Sequence, residues 1–95
     1  MTSIDTTTGP GVATAPRITV RLFAGAAAEY GADTADVHAA TVQEAVDALL
    51  VGASADAARV IERSSILLNA VACTDRSRAL TDGDRLDVLP PFAGG

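Results

Sequence analysis

Two short segments near opposite ends of the chain alternate between side chains of opposite character, with helical patterns lying between them. In RITVRLF, residues 17–23, Ile18, Val20 and Leu22 fall on one side, and Arg17, Thr19, Arg21 and Phe23 on the other. In RLDVL, residues 85–89, Leu86 and Val88 oppose Arg85, Asp87 and Leu89. Successive strand side chains point to opposite faces, so each segment reads as a strand buried on one side. Strands flank the helices instead of alternating with them one for one. That order predicts an α+β fold, a mixed sheet covered on one face by helices.

The intervening residues fill in this frame. AGAAAEYG, residues 24–31, predicts a short alanine-rich helix closed by Gly31. TADVHA, residues 34–39, is a weak strand. TVQEAVDALL, residues 41–50, is the strongest helix, because Thr41 and Glu44 form a capping box that satisfies orphaned backbone donors. Val42, Ala45, Val46, Leu49 and Leu50 then recur on one helical face, and Gly52 ends the run. SADAARVIER, residues 54–63, predicts a second helix capped by Ser54, with Ala57, Ala58 and Ile61 inward. SSILLNA, residues 64–70, reads as a buried strand, with a further short strand around Cys73. LTDGD, residues 80–84, carries turn chemistry, since Asp-Gly accepts the positive φ of a tight turn.

Composition narrows the function classes. The 95 residues make one domain with one modest core. Aliphatics must build it, because Phe23, Tyr30 and Phe92 are the only aromatics. The net charge is −5, lysine is absent and the arginines are scattered, which argues against a nucleic-acid partner. One cysteine allows no internal disulfide and no cysteine-rich zinc site. No stretch resembles an export signal or a membrane span, so the expected location is cytoplasmic with no membrane partner. Residues 1–16, rich in Thr, Gly and Pro, predict a disordered extension before a domain at 17–89 and a tail at 90–95. No phosphate-binding glycine loop occurs. His38 has no partner at metal-ligand spacing, Cys73 reads as an inert buried thiol, and a turn accounts for Asp82 and Asp84. The expectation is therefore no metal, no bound cofactor and no self-contained enzyme.

The tail PPFAGG, residues 90–95, is where chemistry is expected. Pro90 and Pro91 fix φ and withhold sheet donors, so the last strand must stop. They favour an extended course that would carry Phe92, Ala93, Gly94 and Gly95 away from the body. Phe92 would anchor the base of the projection, and two residues without Cβ would thread a narrow slot in a partner protein. A terminal carboxylate on Gly95 is ionised at neutral pH and is a poor electrophile. It needs activation, most simply as an acyl-adenylate, and a partner enzyme must supply the ATP chemistry. Strand parity also sets Phe23 and Leu89 on the face opposite the core, as an apolar patch for docking partners.

RLFAGAAAEYG, the Asn69 that ends ILLN, LTDGDRLDVLPP and the final GG together resemble the MoaD family. These are small sulfur-carrier subunits of molybdopterin synthase with a ubiquitin-like β-grasp fold. The resemblance spans residues 17–95. It implies that Gly95 is adenylated by a MoeB-like activating enzyme and converted to a thiocarboxylate. The tail would then enter a MoaE-like large synthase subunit and give its sulfur to cyclic pyranopterin monophosphate, the carrier itself being non-catalytic. The segment AVACTDRSRA, residues 70–79, departs from the family pattern. Carriers for thiamine-thiazole or cysteine biosynthesis share the fold and tail. A ubiquitin-like protein tag and an interaction module with an idle tail are the remaining readings.

Overall fold

The structure is a computed structural model describing residues 15–91. Its elements run β1 (Arg17–Leu22), α1 (Ala24–Tyr30), β2 (Thr34–His38), α2 (Val42–Val51), α3 (Ala55–Arg63), β3 (Ser65–Leu68), β4 (Val71–Ala72) and β5 (Arg85–Leu89). The five strands form one sheet in the order β2-β1-β5-β3-β4. β1 and β5, the first and last strands, lie side by side and parallel at its centre. The other neighbouring strands pair antiparallel.

Alternation places Ile18, Val20, Leu22, Ile66, Leu68, Leu86 and Val88 on one face, all buried. They meet Ala26, Val42, Ala45, Val46, Leu49 and Ile61 from the helices in a single core. Only one face of β3 is buried: Ile66 and Leu68 enter the core, while Ser65 is exposed and Leu67 half-buried. The apolar run SILL is thus a half-buried strand, because helices cover only one side of the sheet. In α3, Ala57 and Ile61 are buried, and Ala58 is only half-buried.

The helix ends show how local chemistry fixes the elements. Gly31 closes α1 at φ +89°, and its N–H donates to the Ala27 carbonyl at 2.9 Å. Thr41 Oγ1 accepts the Glu44 N–H at 3.2 Å, capping α2. The reciprocal half of the box is offset by one residue, since Glu44 Oε1 takes the Ala40 N–H at 2.8 Å. Two further first-turn donors are satisfied from far along the chain: Val42 N–H by the Arg78 carbonyl at 3.1 Å, and Gln43 N–H by that of Arg76 at 2.8 Å. This is the role of the atypical 70–79 segment, which crosses the N-terminus of α2 instead of extending β4. Gly52 ends α2 at φ −94°, where the Tyr30 hydroxyl would lie 3.3 Å from any Cβ. Close packing by Tyr30, not a left-handed turn, favours glycine there. Ser54 Oγ caps α3 through the Ala57 N–H at 3.1 Å.

Candidate functional site

The uncovered face of the sheet is organised by the central parallel pair. Its register sets Arg21 beside Asp87 and Leu22 beside Val88. The Phe23 N–H donates to the Val88 carbonyl at 3.2 Å, continuing the ladder by one step. Phe23 and Leu89, predicted to share the open face, therefore occupy neighbouring strand ends, both half-buried. Beside them, Arg21, Phe23, Ala24, Ala27, Asp33 and Thr34 line a shallow depression of about 350 Å³.

One row below lies an ion cluster. Arg21 donates from Nε to Asp87 Oδ1 at 3.0 Å and from Nη2 to Oδ2 at 3.1 Å, a bidentate pair. The Arg21 guanidinium also sits 5.3 Å from the centre of the Phe23 ring, within cation–π range. Asp87 is only 4% exposed, although it projects from the face that carries no helix. Its hydrogen bonds from Arg21 outweigh the effect of burial and hold its carboxyl below the usual aspartate range. The same pairing raises the Arg21 pKa. Arg85 Nε approaches Asp87 Oδ1 at 3.4 Å as an ion contact. This cluster was not foreseen. The odd parity of Arg21, Arg85 and Asp87 was visible in the sequence, but the adjacency of β1 and β5 was not.

At the opposite end of β5, a polar corner sets its start. Asn69 Nδ2 donates to Asp84 Oδ1 at 3.0 Å, and Asn69 Oδ1 accepts the Arg85 N–H at 3.0 Å. Asp84 Oδ2 accepts the Thr81 N–H at 2.8 Å across a turn in which Gly83 has φ +92°. These bonds, the Asn69 amide foremost, lower the Asp84 pKa. Asp82 Oδ1 accepts the Arg17 N–H at 2.7 Å and so ties the turn to the start of β1. Both aspartates hold backbone in place. Cys73 is half-buried, not fully enclosed, and its Sγ lies 3.6 Å from the Asp75 carbonyl. His38 is exposed at the end of the edge strand β2. Among the described residues, no group of three His, Cys, Asp or Glu side chains comes together. No described helix is long and apolar enough to cross a membrane.

The root of the tail sits beside the Phe23–Leu89 row. Pro90 is buried against the body of the domain and Pro91 is exposed. Phe92, Ala93, Gly94 and Gly95 lie outside the described residues, as does most of the 1–16 extension.

With this geometry in place, a family model for the ThiS family matches residues 20–95. The chain belongs to the ThiS family. Its fold is the ubiquitin-like β-grasp, as in the solved structures it resembles. Small archaeal modifier protein 1 (SAMP1) of Haloferax volcanii is 31% identical, at a TM-score of 0.73 over 83% of this chain and 99% of that one. A complex of subunits 1 and 2 of the molybdopterin-converting factor from Helicobacter pylori matches at 23% identity and a TM-score of 0.65, over 83% of this chain and 99% of that one. The BexX/CysO complex of Amycolatopsis orientalis matches at 23% identity and a TM-score of 0.67, over 82% and 99%. No curated protein matches. The protein is thus a ubiquitin-like sulfur carrier or modifier.

Proposed function

We propose that this ThiS-family protein is the sulfur carrier of a molybdopterin synthase, with Gly95 as the reacting residue. The observation that carries the reading is the family match through the last two residues, taken with where the last strand ends. A match to the ThiS family runs through Gly94 and Gly95, four residues beyond a last strand that stops at buried Pro90. The Gly95 carboxylate would attack the α-phosphorus of ATP in a MoeB-like activating enzyme and release pyrophosphate. Hydrosulfide would then attack the acyl-adenylate carbonyl, break its C–O bond to AMP and leave a thiocarboxylate. The thiocarboxylate sulfur would attack cyclic pyranopterin monophosphate in a MoaE-like large subunit, and hydrolysis would return the carboxylate. The ATP belongs to the activating partner in this scheme, and the carrier binds no cofactor of its own. Pro90 to Gly94 would mount and insert the tail that ends at Gly95, while Phe23 and Leu89 would supply an apolar contact beside its root. Likeness to a chain of the H. pylori two-subunit complex, 99% of which is covered, supports a role beside a second subunit.

The test is the intact mass of the protein isolated from its own host without acid or reductant. The expected result is a fraction in which one sulfur replaces one oxygen, localised to Gly95. If every molecule carries an ordinary carboxylate, even after incubation with activating enzyme, ATP and a sulfur donor, the reading fails. Loss of molybdoenzyme activity on deleting the gene assigns the pathway, whereas thiazole or cysteine auxotrophy assigns a different one.

The 31% identity to an archaeal modifier favours one second reading, a protein tag joined through Gly95 to amines on other proteins. It predicts a higher-mass ladder in which target lysines carry a Gly94–Gly95 remnant. With no lysine of its own, the tag could not form lysine-linked chains.

A further inference from the structure

All seven Lys and Arg positions of the sequence are arginines, and lysine is absent. At one of them the fold demands it. Arg21 grips Asp87 through Nε and Nη2, a fork that an ammonium cannot reproduce. Elsewhere the contacts ask only for positive charge. Arg17 meets Asp36 through a single nitrogen in an exposed pair, a kind open to either basic residue. Arg63 stands exposed in the last turn of α3, where any cation suits the helix C-terminus. Among the described residues, neither Arg63 nor Arg76 forms an ion pair. Both of these lie near the root of the tail. Ser65 pairs with Leu89, so one step further along the antiparallel ladder Ser64 comes beside Pro90, and Arg63 precedes it. Arg76 shares a cavity of about 290 Å³ with Ser64 and Ser65. Neighbouring strands lie about 5 Å apart and consecutive Cα atoms about 3.8 Å, so Arg63 starts within about 9 Å of Pro90. The five residues from there to Gly95 can reach about 17 Å.

We propose that Arg63 and Arg76 determine the selectivity of the acyl-transfer step: they hold positive charge beside the tail in a form that cannot capture the activated Gly95 carbonyl. The inference rests on the carrier reading, in which Gly95 is an acyl-adenylate before it receives sulfur. It adds what keeps that species from reacting with its own domain. A lysine has a free-base fraction of about one in 2,500 at pH 7, from a pKa of about 10.4. Tethered at short range, its amine would meet the Gly95 carbonyl at an effective concentration on the order of millimolar. Nζ would form a C–N bond to the carbonyl carbon, the C–O bond to AMP would break, and one amine proton would pass to solvent. The resulting amide does not revert to carboxylate, so each such event removes one carrier for good. A guanidinium stays protonated and offers donors only, so it cannot act as that nucleophile. The Cys73 thiol, which lines the same cavity as Arg76, could form only a thioester, and sulfide or another thiol reopens that bond.

The experiment incubates the full-length wild type and the variants Arg63→Lys, Arg76→Lys and Arg17→Lys with the host's ATP-dependent activating enzyme and ATP, without a sulfur source. Pyrophosphate release verifies that each is adenylated, and a thermal melt that each is folded. Hydroxylamine then cleaves acyl-adenylates and thioesters but spares amides, and the intact mass is read. Arg63→Lys and Arg76→Lys are expected to accumulate a species lighter by one water, at least tenfold above wild type. Peptide mapping should place its crosslink between Gly95 and the substituted position. Arg17→Lys should give at most a trace, because Arg17 begins β1 at the far end of the sheet, about 23 Å from Pro90 at ~3.3 Å per residue. If the two tail-root variants are adenylated and no hydroxylamine-stable species forms, the inference is overturned. Equal crosslinking in Arg17→Lys overturns it too, because capture would then not depend on a place beside the tail. A wild-type chain that releases no pyrophosphate defeats the carrier reading itself, an outcome distinct from the other two.

Discussion

Asn69 and Ala70 show how much a single position can carry in so small a chain. They join β3 to β4 through a two-residue connection in which both have positive φ, +49° and +74°. Two-residue hairpins favour this mirror-image turn because it matches strand twist. Asn69 suits it, and its amide also links Asp84 to the start of β5. Ala70 does not suit it, since an L-residue with a Cβ costs about 1–2 kcal/mol in the left-handed region. Ala70→Gly should therefore raise stability by about 0.5–1 kcal/mol after the added unfolded-state entropy is counted. Asn69→Ala should lower it by about 1–3 kcal/mol by stranding Asp84 and the Arg85 N–H. Urea unfolding of the two variants beside wild type checks both signs. Titration belongs to this scale as well. Asp84 and Asp87 have folded pKa values below their unfolded ones, so their stabilisation is present above the unfolded value of about 3.9. It is lost as pH falls through the folded values. The melting temperature should thus decline steeply below about pH 4, and Asp87→Asn should flatten that decline while lowering stability at neutral pH. A pH-independent melting temperature between 2 and 6 would contradict the assignment.

Secondary-structure elements were legible to the extent that their determinants are local. The alternation in residues 17–22 and 85–89, the Thr41–Glu44 cap and the Ser54 cap all act within one or two turns of chain, and each appears in the structure where the sequence sets it. What the sequence did not show is non-local. Asp87 read as a surface residue because nothing in RLDVL reveals that Arg21, 66 positions away, lies on the adjacent strand. The 70–79 segment matched no pattern because its backbone serves the start of α2. The candidate site divides the same way. Phe23 and Leu89 could be assigned to one face from parity alone, whereas the charge beside them required the β1–β5 pairing. The α2 cap gives a test at this scale. Thr41→Ala removes one cap acceptor and should cost about 1 kcal/mol. Replacing Arg76 or Arg78 by alanine leaves the carbonyls that cap Gln43 and Val42 in place, and should cost less than about 0.5 kcal/mol. A larger loss from Arg78→Ala than from Thr41→Ala, measured by denaturant midpoint, would show that side chains hold this crossing.

Taken whole, the described domain sets where the chain leaves the sheet for its last residues. The parallel pairing of the first and last strands fixes the end of β5 at the centre of the sheet, where antiparallel neighbours flank both strands. Pro90 is buried at that point and marks where the chain leaves the sheet. Beyond Pro91, the four residues to Gly95 span at most about 14 Å. A partner that docks on the Phe23–Leu89 row would therefore have to meet Gly95 within that reach. Chain length, and not only the presence of Gly94 and Gly95, should then be decisive for function. Inserting two glycines between Pro91 and Phe92 keeps every described contact, so the melting temperature should stay within about 2 °C of wild type. The same insertion moves the terminal carboxylate by up to about 7 Å relative to the docking face. Misplacement of reacting atoms by about 1 Å can cost 100-fold, so adenylation of Gly95 should fall at least that far. Pyrophosphate release with the activating enzyme measures the rate. An inserted variant adenylated at the wild-type rate would mean that the enzyme recognises the Gly-Gly end independently of the sheet.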